Sequence, residues 1–230
     1  MGVSMHIPDG YLSPQTYIPL YGVTATFLGV SLRKIRKELS TQQVPYIAMA
    51  SAFSFLIMMF NVPIPGGTTG HAVGAGIIAI LLGPWTAVLA VSVALIIQAF
   101  VFGDGGITAI GANCFDMAIV MPFVSYGIYR MCGGKTPNGV RRDVAAFLAG
   151  WLGLTVASVC AGILFGIQPI IASGPNGRPL FCPYPLSISV PAMGLEHLVL
   201  FGPVEGLVTA LIIRYFARHR VEIGDAVRKV

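Results

Sequence analysis

The sequence predicts an all-α integral membrane protein of about seven transmembrane helices, with its N-terminus outside and its C-terminus in the cytoplasm. Three observations carry this prediction. Of the 230 residues, 55% are hydrophobic and only 10% are charged, against about 25% charged in a soluble domain; the mean hydropathy is +0.80. Apolar stretches of crossing length recur along the chain, punctuated by Gly, Pro and polar residues. The basic residues fall in three groups that a path of seven helices puts on one side. This composition excludes a water-soluble globule and a disordered chain. It also excludes a nucleic-acid binder, despite a pI of about 9.2 and a net charge of +5. Seven crossings at about 20 residues each take roughly 140 residues. Residues 1–230 therefore read as a single membrane domain, with an outer-face segment at 1–16 and a cytoplasmic tail at 217–230.

The opening, MGVSMHIPDGYLSP, has no positive charge ahead of an apolar core and does not read as a cleavable signal peptide. The first helix is expected at 17–32, stopped by the basic run that follows it. The second, 45–60, ends before the Pro- and Gly-rich string NVPIPGGTTGH. The third, 71–83, is short, and Gly83-Pro84 breaks it in a tight re-entry to the fourth, 86–102. The fifth is expected at 114–131, the sixth at 144–167 and the seventh at 195–216.

Orientation follows from the Lys and Arg positions. Arg33, Lys34, Arg36 and Lys37 follow the first helix. Arg130, Lys135, Arg141 and Arg142 lie between the fifth and sixth, and Arg214, Arg218, Arg220, Arg228 and Lys229 end the chain. Thirteen of the 14 basic residues thus share one side, with Arg178 alone opposite. By the positive-inside rule that side is cytoplasmic. His6, the 61–71 string, the loop GDGGITAIGAN and the segment 168–194 then share the outer face. Residues 65 positions apart, His6 and His71, are free to meet there.

Those two histidines are the leading candidates for chemistry. A histidine at a membrane boundary is commonly an ordinary hydrogen-bonded residue. Here the topology brings two to one face, and His71 is expected to start a helix from a glycine-rich loop, where backbone approaches an ion closely. His6 also follows a methionine, Met5. With Met5 as the N-terminus, its α-amine, the His6 backbone nitrogen and His6 Nδ1 form two fused chelate rings, and His71 supplies a fourth nitrogen. Four in-plane nitrogens suit square-planar Ni(II) or Cu(II), whereas Ca or Mg take oxygens. Such donors bind deprotonated, so capture releases protons. Cys114, Cys132, Cys160 and Cys182 form no CxxC pair and read as buried thiols.

The string Met5-His6-Ile7-Pro8-Asp9-Gly10, with Gly70-His71 downstream, resembles the nickel and cobalt substrate-binding (S) components of energy-coupling-factor transporters. The resemblance covers nearly the whole chain from Met5. It implies that Met5 (amine), His6 (amide and imidazole) and His71 (imidazole) hold Ni²⁺, with Co²⁺ second, for ATP-driven uptake. The Pro-Asp form of the opening is more similar to the nickel members. The implied partners are a transmembrane coupling (T) subunit, two ATPase subunits and a small accessory membrane subunit, in the cell membrane of a prokaryote. The resemblance further implies that an alanine pair, Ala48 and Ala52, docks the coupling subunit. This chain departs from the pattern in carrying Met1-Gly2-Val3-Ser4 ahead of the dipeptide. An attached extension turns the Met5 amine into an amide that is far harder to deprotonate.

Other residues have two readings each. Asp9 either orients a ligand imidazole or, with Gly10, makes a turn. Thr68 and Thr69 either brace His71 or cap its helix, and Asn113 is a further candidate brace. Asp116 and Glu196 are expected near the outer boundary, within reach of water. Glu205 lies deeper, serving a hydrogen bond to a neighbouring helix or an ion path. Gly162 and Gly166, like Gly70 and Gly74, have the four-residue spacing that permits close helix approach. Gly134-Lys135-Thr136 resembles the end of a P-loop, but Tyr129 stands where the first glycine belongs, so ATP hydrolysis by this chain is not expected. The alternative from another class is a zinc-dependent intramembrane enzyme using His6, His71, His197 and Glu196, which needs an open coordination position and a base.

Overall fold

A computed structural model describes residues 6–38, 44–64, 68–134, 136 and 139–219. Helix α1 spans Pro14–Glu38 and α2 spans Val44–Met58. An antiparallel hairpin follows, β1 Asn61–Ile64 and β2 Thr68–His71, in the register Asn61 opposite His71 and Ile64 opposite Thr68. Then come α3 Ala75–Leu82, α4 Pro84–Phe102, α5 at 110–131, α6 Gly139–Gly166 and α7 Leu186–Arg218. Seven helical spans among the described residues match the number read from hydropathy. Three of them, Pro84–Phe102, the Gly139–Ile171 stretch containing α6, and Leu186–Arg218, are long and apolar enough to cross a membrane on length and composition alone.

Two expectations change. The third helix begins at Ala75, so His71 ends a β-strand and does not start a helix. Pro63 and the glycines of the preceding string disfavour helix there, while strand pairing of 61–64 with 68–71 satisfies the backbone. The eight residues of α3 rise only about 12 Å, far short of a 30 Å hydrocarbon core. Gly83, at φ +89°, ends α3 and leads into Pro84 at the start of α4, the expected tight re-entry. Second, α7 begins at Leu186, nine residues before the expected 195, and carries Pro191 inside it.

Residues 114–120 of α5 and 197–201 of α7 are π-helical. Each segment precedes a proline, Pro122 or Pro203. A proline has no N–H for the carbonyl four residues back, so the widened turn absorbs the lost bond. The central core gathers Met58, Val73, Ala79, Val91, Met121 and Leu154 from α2 to α6. The small-residue stripe of α6 lets α7 approach closely. A Cβ on Gly162 would lie 3.0 Å from Val190 Cα, and one on Gly166 would lie 2.6 Å from Leu186 Cα. Gly70 and Gly74 do not form such a stripe, since Gly70 is in β2 and Gly74 sits left-handed, at φ +73°, before α3.

Candidate metal centre

The N-terminal segment is pinned residue by residue. Asn113 of α5 clamps Ile7 on both sides: its Oδ1 accepts from Ile7 N at 3.0 Å and its Nδ2 donates to Ile7 O at 3.2 Å. Gly106 N also donates to Ile7 O, at 2.9 Å. Asp9 Oδ2 accepts from Ile107 N at 3.2 Å, and Asp9 Oδ1 from Thr108 N at 2.8 Å and from the Thr108 hydroxyl. Further along, Gln168 Oε1 accepts from Ser13 N at 2.9 Å, and Cys182 N donates to Tyr11 O at 3.2 Å.

This pinning brings His6 to His71. Their ring centroids are 5.0 Å apart at an interplanar angle of 71°, and both residues are only 6% exposed. His6 Nδ1 also lies 3.3 Å from Asp104 Oδ2. His71 Nδ1 is 3.1 Å from Ala72 O. A carbonyl only accepts, so this contact puts the proton on Nδ1 and the lone pair of His71 on Nε2. Gly105 stands against His6 in the loop that wraps the segment, at φ +86°, where a Cβ would lie 3.0 Å from His6 Cβ.

The strand bearing His71 is held by α7 and α2. The Phe201 ring covers Gly70 so closely that a Cβ there would lie 2.0 Å from it. Glu205 is fully buried. Its carboxylate accepts from Val73 N at 2.9 Å and from Gly74 N at 3.0 Å. Of its two expected roles, the structure gives it the hydrogen bond to a neighbouring element. Its carboxyl group sits at the N-terminus of α3 and accepts from N–H groups that the helix leaves unpaired.

The remaining candidates are sorted by their contacts. Asp9 touches the 106–108 backbone and not an imidazole. Burial raises its carboxyl and the hydrogen bonds from Thr108 and Ile107 lower it, with the net result below the ordinary 3.8. Thr68 and Thr69 lie in β2, opposite Ile64 and Pro63, and not at the start of a helix. Asn113, a candidate brace, holds the backbone of Ile7. Asp116 is 3% exposed, facing the protein and not the water of the boundary. His197 is engaged at Nδ1 by Met193 O of its own helix at 2.9 Å. No group of three His, Cys, Asp or Glu placed to hold a metal occurs among the described residues. The zinc arrangement of His6, His71, His197 and Glu196 is therefore not assembled. Met5 lies outside the described residues.

Two contacts escaped the sequence reading. Asp104 sits in the GDGG loop already assigned to the same face, which was the available signal for it. Gln168, which also donates to Thr16 Oγ1 at 3.0 Å and Leu164 O at 2.7 Å, gave none.

Known proteins with this sequence pattern are metal transporters. The CbiM family, described as the cobalt uptake substrate-specific transmembrane region, matches residues 6–223. The fused nickel transport protein NikMN of Rhodobacter capsulatus is 51% identical over 220 residues, 95% of this chain. The chain spans 63% of that relative's length, less than two thirds of it. The cobalt transport protein CbiM of Lachnoclostridium phytofermentans is 34% identical over 220 residues, 91% of this chain and 81% of that protein. The crystal structure of a truncated transition metal transporter superposes with a TM-score of 0.88 at 46% identity, covering 94% of this chain and 99% of that one. This chain is a multi-pass membrane protein that belongs to the CbiM family.

Proposed function

We propose that this chain captures Ni²⁺, with Co²⁺ as the lesser substrate, at the outer face of a prokaryotic cell membrane. It does so as the substrate-specific subunit of an energy-coupling-factor transporter. The observation that carries this reading is the pairing of His6 with His71, 5.0 Å apart and shielded from water, by a segment that Asn113, Gly106 and Asp9 tie down. In a chain that begins at Met5, the Met5 amine, the His6 amide nitrogen, His6 Nδ1 and the His71 imidazole make up the four nitrogens of the square. His6 Nδ1 exchanges its 3.3 Å contact with Asp104 for the ion. Four nitrogen donors fill a square-planar ion and leave no coordination position for a reacting water, which suits capture better than catalysis.

Nothing in the site supplies work for release, so partner ATPases and a coupling subunit drive it. Ala48 and Ala52 are both exposed on α2, in one stripe with the exposed Val44 and Leu56. A small-residue stripe facing outward is a surface on which another membrane helix approaches closely, and it is the docking surface for the coupling subunit. The test is calorimetry and absorption with Ni²⁺ and Co²⁺ on the chain beginning at Met5 and on its His6→Ala and His71→Ala variants. The expected result is tight binding with the yellow absorption of planar nickel, lost in both variants. Wild-type affinity in His71→Ala overturns the reading.

A further inference from the structure

His71 belongs to a strand whose next residues are gripped from two helices. Ser54 of α2 donates from Oγ to Val73 O at 2.9 Å, and Glu205 of α7 accepts from Val73 N at 2.9 Å. The same carboxylate takes Gly74 N at 3.0 Å. Val73, Ser54 and Glu205 are each 0% exposed. One peptide unit thus has its carbonyl held from one side and its N–H from the other, in a place with no water to substitute for either partner. Only Ala72 separates that residue from His71. Ser54 also lies on the face of α2 turned away from the exposed Ala48 and Ala52.

We propose that Ser54 and Glu205 are positioning residues for metal capture, which hold the His71 imidazole in place by clamping Val73 between α2 and α7. The proposal rests on the metal-binding reading of His6 and His71. Metal–nitrogen distances tolerate displacements of about 0.2 Å, so slack in a strand two residues from a ligand is felt as lost affinity. A folding role alone makes a different prediction, with stability falling and the affinity of the folded protein unchanged. The clamp also gives α2 a direct hold on the ligand strand. A partner helix seated on its outward face has a path to His71 only two contacts long.

The test measures Ni²⁺ dissociation constants and thermal midpoints for the full chain carrying Ser54→Ala, Glu205→Gln, both together, His71→Ala, and Ser189→Ala. Ser189 is a control: it is buried and donates to Gly162 O at 2.8 Å, between α6 and α7, away from the site. Ser54→Ala and Glu205→Gln are each expected to weaken binding about five- to tenfold, the worth of one buried hydrogen bond, and to broaden the planar-nickel absorption. The double variant is expected to lose less than the product of the two, because both act through one peptide. Ser189→Ala is expected to lower only the thermal midpoint. Monodisperse Ser54→Ala and Glu205→Gln with affinities within twofold of wild type, beside a His71→Ala that no longer binds, overturn the clamp and leave the metal site standing. Ser54→Ala, which deletes a single oxygen, decides the matter alone if Glu205→Gln does not fold. Undiminished binding by His71→Ala overturns the underlying reading instead.

Discussion

Gly106→Ala isolates the docking of the N-terminal segment from every metal donor. Gly106 is not in the left-handed region, so alanine costs no backbone strain; only space is at issue. An added Cβ would lie 2.3 Å from Asp9 N, 2.6 Å from Asp9 Oδ1 and 2.7 Å from Pro8 C. Ordinary van der Waals contact begins at 3.4 Å, so backbone on one side must retreat by about 1 Å. The 6–9 segment is the lighter side. Its retreat breaks the Gly106–Ile7 bond and stretches those of Asp9 to Ile107 and Thr108. At about 1 kcal/mol for each lost bond, two of them amount to roughly 2 kcal/mol, or about a thirtyfold loss of nickel affinity. A 1 Å shift is also several times the tolerance of a metal–ligand distance. The assay is calorimetry against wild type and Gly127→Ala, a helical site where a Cβ meets nothing within 4 Å. Gly106→Ala folded, monodisperse and within twofold of wild-type affinity would refute the reasoning.

Three further outcomes are expected. A chain beginning at Met5 binds nickel far more tightly than the chain with Met1-Gly2-Val3-Ser4 attached, measured by calorimetry on both; equal affinities rule out an amine donor. Ala48→Leu and Ala52→Leu each impair co-purification with a membrane coupling subunit while nickel binding stays at wild-type level, because both side chains are exposed on the face of α2 turned away from Ser54. Asp9 titrates below its ordinary 3.8 in the folded chain. Its contribution to docking is therefore complete above that pH and is lost as pH falls through the lower folded-state value. Hydrogen exchange at Ile7 and Thr108 should rise in that acid range, and Asp9→Asn should remove the pH step.

The sequence carried more of this molecule than its local structure. Helix number and approximate bounds follow from hydropathy, because in lipid a helix satisfies its own backbone, although the eight-residue α3 falls short of the roughly 20 apolar residues of a full crossing. The meeting of His6 with His71 followed from topology, since counting crossings says which loops share a face. Prolines follow two of the π-helical segments, while the third, Gln98–Phe102, has no proline to mark it.

What tertiary structure alone decided is the set of partners. Nothing in the string NVPIPGGTTGH distinguishes a loop entering a helix from a hairpin whose last residue is His71, because that depends on Phe201 and Glu205 pressing against it from more than 130 positions away. Asp9 was expected either to serve the imidazole or to make a turn, and it holds the 106–108 backbone, where Asp104 and not Asp9 lies beside His6. Periodicity is a local property of the chain. Hydrogen-bond partners for buried carboxylates, and the gaps that only glycine leaves open, are fixed by packing between elements distant in sequence.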